Sequence, residues 1–63
     1  MNNAYKRFQP ATMQAADIIR ELTMRGGMII TDRKEYVEIR RLESVAKIDQ
    51  LGRVEWNKFH SPL

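Results

Sequence analysis

The sequence predicts an α+β domain in which one N-terminal amphipathic helix packs on a small antiparallel sheet of two consecutive β-hairpins. Three observations carry that expectation. A stripe of apolar residues at helical spacing runs into the glycine pair Gly26-Gly27, two strand-patterned stretches follow it, and a further alternating pair surrounds Asp49-Gln50-Leu51-Gly52.

The helix is expected over residues 10–25. Pro10 suits a first helical turn, where its missing N–H costs nothing, and Ala11, Ala15, Ile18, Ile19 and Leu22 recur on one narrow face. Glu21 and Arg25 stand at i,i+4 in the favourable order, and either Gly26 or Gly27 can take the left-handed position that closes a helix.

Met28-Ile29-Ile30-Thr31 and Tyr36-Val37-Glu38-Ile39-Arg40-Arg41 flank the polar turn Asp32-Arg33-Lys34-Glu35 and read as a hairpin. Pairing Thr31 with Tyr36 sets Ile30 opposite Val37 and Met28 opposite Ile39, with all of these apolar side chains on one face. In the second hairpin, an Asp-first, Gly-last turn fits a type I turn followed by a glycine bulge. Pairing Asp49 with Arg53 then places Lys47 opposite Glu55 on one face, and Ile48 opposite Val54 and Ala46 opposite Trp56 on the other. The apolar positions change from odd (Val37, Ile39) to even (Leu42, Ala46, Ile48), which calls for a bulge or bend around residues 40–44. A short helix over 42–51 is the alternative. The expected core joins Ile18, Leu22, Ile30, Val37, Ile39 and Trp56.

Residues 1–9 show no periodicity and read as a flexible basic-aromatic arm, residues 10–59 as the single domain, and residues 60–63 as a tail. A chain of 63 residues buries only about 60% of its unfolded surface, so self-association is expected to help it. With no cysteine there are no disulfides or thiolate metal sites, and a cytoplasmic setting is expected. No apolar run is long enough to span a bilayer, and no apolar segment stands behind the N-terminal charges, so secretion is not expected. The net charge of +3, from 11 Lys and Arg against 8 Asp and Glu, permits phosphate contact without demanding it.

No pattern of residues points to catalysis. His60, the single histidine, has no cysteine or nearby acid to work with and reads as a tail residue. Ser44 and Ser61 lack nucleophile-elbow glycines, and Gly26-Gly27 ends a helix rather than opening one, the wrong polarity for a phosphate loop. The chain is therefore read as a non-enzymatic protein-binding module needing no cofactor, metal or small-molecule substrate. It would be a regulator, adaptor or inhibitor, of the kind frequent among phage and mobile elements.

Met13, Asp17, Arg20 and Met24 fall on one helix face opposite the apolar stripe, and Ile29 and Tyr36 point away from the hairpin's expected core face. Met13, Arg20, Met24, Ile29 and Tyr36 are thus the candidate partner-binding residues, the partner being another protein or a second copy of the chain. The alternative is a nucleic-acid-binding transcriptional regulator that contacts phosphates through a basic hairpin tip and arm, using Lys6, Arg7, Arg33, Lys34, Arg40 and Arg41. A helix-turn-helix fits poorly, because strands follow the first helix where a recognition helix would stand.

The stretch Ile18-Ile19-Arg20-Glu21-Leu22-Thr23-Met24-Arg25-Gly26, with Asp32-Arg33 after it, resembles the helix-glycine-hairpin opening of the small N-terminal docking domains of some peptide synthetases. The resemblance covers residues 16–41. It implies that such an arrangement can serve docking, with a hairpin edge binding a partner's terminal peptide.

Overall fold

The computed structural model describes residues 5–59. One helix, α1 (Met13–Met24), precedes four strands, β1 (Met28–Asp32), β2 (Tyr36–Arg41), β3 (Ser44–Asp49) and β4 (Val54–Lys58). The strands form one antiparallel sheet in chain order, β1-β2-β3-β4. The helix packs on β2 and β3, so the architecture is the α+β arrangement that the residue pattern predicts.

Helix α1 starts later than Pro10 because Thr12, not proline, opens it. The Thr12 hydroxyl accepts a hydrogen bond from the Ala15 amide at 3.1 Å while its own backbone stays extended, which satisfies one of the orphan donors of the first turn. At the other end Gly26 takes the left-handed position with φ of 99°. The Gly26 N–H donates to Thr23 O and the Gly27 N–H to Leu22 O, the paired bonds of a Schellman cap. Gly27 is needed for a second reason. A Cβ there would lie 2.6 Å from Ile39 Cγ2 and from the Leu22 carbonyl oxygen, so only glycine lets the chain pass between helix and sheet.

The second hairpin adopts the register expected from its sequence: Ile48 faces Val54, Lys47 faces Glu55 and Ala46 faces Trp56. Its turn closes with Gly52 N–H donating to Asp49 O and Asp49 N–H donating to Arg53 O, with Gly52 at φ of 93°. The Asp49 carboxylate accepts from the amides of Leu51 and Arg53, both at 2.9 Å. The Arg53 amide bond leads in holding this carboxyl below its ordinary value, ahead of an opposing desolvation.

The first hairpin differs from expectation. Its turn is tighter, with Arg33 N–H donating to Tyr36 O, so the strand runs on through Asp32 and pairs Asp32 with Val37. A bulge at Ile30 then shifts the register, setting Ile29 opposite Ile39 and Met28 opposite Arg40. Ile29 therefore packs on the core, while Ile30 and Met28 are exposed. The change of parity between β2 and β3 also has a simpler cause than a bulge or bend. A two-residue turn, Leu42-Glu43, pairs Arg41 with Ser44, so odd positions of β2 face even positions of β3. Leu42 takes φ of 58°, and the segment expected as strand or short helix is strand.

The core consists of Phe8, Ala15, Ile19, Val37, Ile39, Ala46 and Ile48, with Tyr5, Ile18, Leu22 and Ile29 packed against it. Trp56, expected inside, is 54% exposed. The described part of the arm, expected to be flexible, is instead docked: Phe8 is only 3% exposed and stacks edge-on with Tyr5. The tail, His60 included, lies outside the described residues, as do residues 1–4.

Candidate functional site

The inner face of the sheet is wider than the helix that covers it. Rows of inward residues run Ile29–Ile39–Ala46–Trp56 and Val37–Ile48–Val54 across the strands. The helix and the arm cover the rows up to β3. Over β4 neither reaches, and an open groove of about 560 Å³ lies between α1 and β4. Met13, Ile18 and Leu22 form its helix wall, and Val54 and Trp56 its sheet side.

The position of this groove follows from how the helix is tethered. The β3–β4 turn grips the helix start: Ala11 N–H donates to Gln50 O, the Thr12 hydroxyl to Leu51 O, and a Cβ on Gly52 would sit 3.0 Å from Gln14 Cγ. The Arg41 guanidinium, on β2, donates from Nε to Arg25 O at the helix end. These tethers run the helix from the β3–β4 turn toward the end of β2, so β4 is left to one side.

The groove's charged rim is already paired. Asp17 accepts from Arg20 at 2.7 Å and Glu21 lies 3.4 Å from Arg25, all substantially exposed. Such exposed pairs contribute little to stability, yet they balance the charges along the rim, and the groove's recognition character is apolar. Met13, 79% exposed, and Trp56 supply flexible and flat contact surfaces respectively.

The partner-binding residues anticipated from the sequence do not converge. Met13 lines the groove, whereas Arg20 and Met24 are exposed on the helix beyond it. Ile29 is packed against the core rather than on a free surface. Tyr36 lies on the outer face of the sheet beneath Lys47, whose Nζ is 4.4 Å from the ring centroid. Trp56 and Val54 were not among the anticipated contacts. The signal that places them was present in the second hairpin: its apolar face carries two residues of β4, and a twelve-residue helix spans only about 10–12 Å across with its side chains, too narrow for four strands about 4.8 Å apart.

The basic residues divide into two groups. The Asp32 carboxylate accepts from the backbone amides of Lys6, Arg7 and Phe8 at 2.6, 2.9 and 2.9 Å, and Gln9 N–H donates to Lys34 O. Lys6 and Arg7 are thereby brought to the end of the sheet that carries Arg33 and Lys34. Desolvation raises the Asp32 pKa, but the three amide bonds and the Arg7 charge outweigh it, leaving the carboxyl below its ordinary value of 3.8. Arg40 and Arg41 stand at the opposite end, where the Arg40 guanidinium covers the Phe59 ring at 3.8 Å. The outer face of the sheet mixes Glu38, Asp49 and Glu55 with Arg40, Lys47 and Arg53, and its charges are of both signs.

No family model, curated protein or solved structure matches this chain. No described helix is long and apolar enough to cross a membrane.

Proposed function

We propose that this chain is a non-enzymatic protein-binding module, a regulator, adaptor or inhibitor, that docks a partner in the groove between α1 and β4. The observation that supports this reading is the exposure of Trp56 beside Val54 and Met13 around one apolar groove, on a domain whose other large aromatics are covered. Contiguous apolar surface rimmed by polar residues is the usual mark of a protein contact, and tryptophan is enriched among residues that dominate binding energy.

The test is capture from a cell lysate followed by titration of the purified partner. Wild type should bind with weak salt dependence and insensitivity to nuclease, and binding should shift Trp56 emission to the blue. Trp56→Asp should lose the partner while remaining folded by circular dichroism. Capture that persists in Trp56→Asp would sink this assignment of the surface.

A second reading, nucleic-acid binding, is favoured by one observation: arm docking at Asp32 gathers Lys6, Arg7, Arg33 and Lys34 at one end of the sheet. It predicts an affinity that falls steeply with salt, with a slope of about −0.9 per duplex phosphate contact. Arg33→Glu with Lys34→Glu should then abolish binding, whereas docking in the groove predicts that this double variant keeps its partner.

A further inference from the structure

The two edges of the sheet are protected unequally. Unpaired edges invite pairing with another chain, and proteins blunt them with bulges, covering segments and charges. β1 carries the Ile30 bulge, and the arm is bonded to its end at Asp32. β4 pairs with β3 in unbroken register, contains neither bulge nor proline, carries Glu55 and Lys58 as its edge charges, and is exposed along its whole length.

Backbone alternation specifies what β4 offers. At its two ends Asp49 N–H donates to Arg53 O, and Phe59 N–H donates to Glu43 O. Because antiparallel ladders alternate, the odd residues from Arg53 to Phe59 turn their amides and carbonyls toward β3, and Val54, Trp56 and Lys58 turn theirs to the open edge. The free ladder groups therefore belong to the same residues whose side chains include the groove's Val54 and Trp56.

We infer that a second copy of this chain occupies this edge, β4 pairing antiparallel with β4 about a two-fold axis at Trp56. A two-fold joining two edges into one continuous antiparallel sheet opposes residues of like parity, and so leaves few registers. Centred on Trp56, it sets Val54 opposite Lys58 and Trp56 opposite its own copy, so every outward residue of the strand exchanges its ladder bonds, and Glu55 faces Asn57. Centred on Glu55, it brings two carboxylates directly opposite each other and leaves Lys58 opposite Gly52 in the turn. Centred on Asn57, it leaves Val54 opposite residue 60, beyond the strand. Charge and hydrogen bonding thus favour the same register.

This deepens the docking reading and rests on it for its consequence, because the pairing merges the two grooves into one trough. With each helix over β2 and β3, the two helix axes stand roughly four strand spacings apart, about 19 Å. Subtracting a helix width of about 10 Å leaves a clear channel of roughly 9 Å, with the two indoles on its floor. The partner surface is then completed only in the dimer.

The test uses the intact chain, which has one tryptophan and no cysteine. Sedimentation across micromolar concentrations should show a dimer, with Trp56 emission shifting to the blue as it forms. Trp56→Pro removes an outward amide without touching the β3 ladder and should yield a folded monomer. Independently, Trp56→Cys should cross-link on mild oxidation, since opposed residues of a bonded pair lie about 5.5 Å apart, and Glu55→Cys should not, because its copy is displaced beyond about 7 Å. A wild type monomeric at every concentration, or cross-linking of Glu55→Cys as readily as Trp56→Cys, overturns the inference. A monomer that still needs Trp56 to hold its partner would refute the dimer and leave docking standing. A dimer whose partner ignores Trp56→Asp would refute docking and leave the dimer standing.

Discussion

Beside β1, an aromatic residue from outside the sheet completes the core; beside β4, an aromatic residue of the sheet itself is left in solvent. Phe8 reaches its place because Asp32, at the end of β1, binds the backbone of the arm that carries it, and Tyr5 closes over it. Trp56 stands on the inward face in line with Ala46 and Ile39, yet the helix tethers carry α1 away from it. The inward direction of a side chain therefore does not bury it. Burial requires a second layer above, and on this sheet the layer is supplied by helix and arm on one side and by nothing in the described chain on the other.

The widest test of that contrast is a pair of truncations. Phe8→Ala should cost about 3–5 kcal/mol, the range for a buried phenylalanine, enough to unfold much of so small a domain. Trp56→Ala should change the stability of the monomer by no more than about 0.5 kcal/mol, as exposed substitutions do. Urea denaturation at the lowest workable concentration measures both, and equal losses would mean that the β4 side is covered as well as the β1 side.

A smaller effect sharpens how the helix is held over β2. Gly27→Ala places a methyl group against Ile39 Cγ2 and the Leu22 carbonyl, and overpacking of this kind costs about 1–3 kcal/mol. Thermal unfolding checks it, and an unchanged midpoint would show that helix and sheet separate easily enough to reach over β4.

The smallest effect concerns the latch itself. The Asp32 pKa is lower in the folded chain than its ordinary 3.8, so its stabilising contribution is complete above that ordinary value and is lost as pH falls through the folded value. Hydrogen exchange should show the Lys6, Arg7 and Phe8 amides protected at neutral pH in wild type and losing protection only in acid below pH 3.8. In Asp32→Asn, these amides should exchange faster at neutral pH. Protection indifferent to both changes would remove Asp32 as the reason that the two sides differ.

The two hairpins differ in how much of them could be read in advance. The second announces itself by Asp49 and Gly52 at fixed turn positions and by charge and apolar pairs that agree on one register, and that register is the one observed. In the first hairpin, Asp32 looks like a turn residue but serves as strand end and arm anchor, and the isoleucine pair Ile29-Ile30 is equally apolar on either face. Which of the two points inward depends on the bulge. The candidate site is partly legible: the helix pattern marks Met13 as a contact, while the pairing of Trp56 with Ala46 predicts a core residue, because pairing fixes the face of a side chain and not what covers it.

Local chemistry by itself determined the helix stop at the Gly26-Gly27 pair, the glycine-closed turn at Gly52 and the alternation of β3 and β4, since each depends on residues a few positions apart. The fold class follows from those local preferences taken together. Tertiary structure alone decided the docking of Phe8 and the exposure of Trp56. Each of these depends on groups distant in the chain, such as the Asp32 carboxylate binding Lys6, Arg7 and Phe8, or the β3–β4 turn gripping the helix start. Periodicity records which way a side chain points, but what lies above it is a property of the assembled layers.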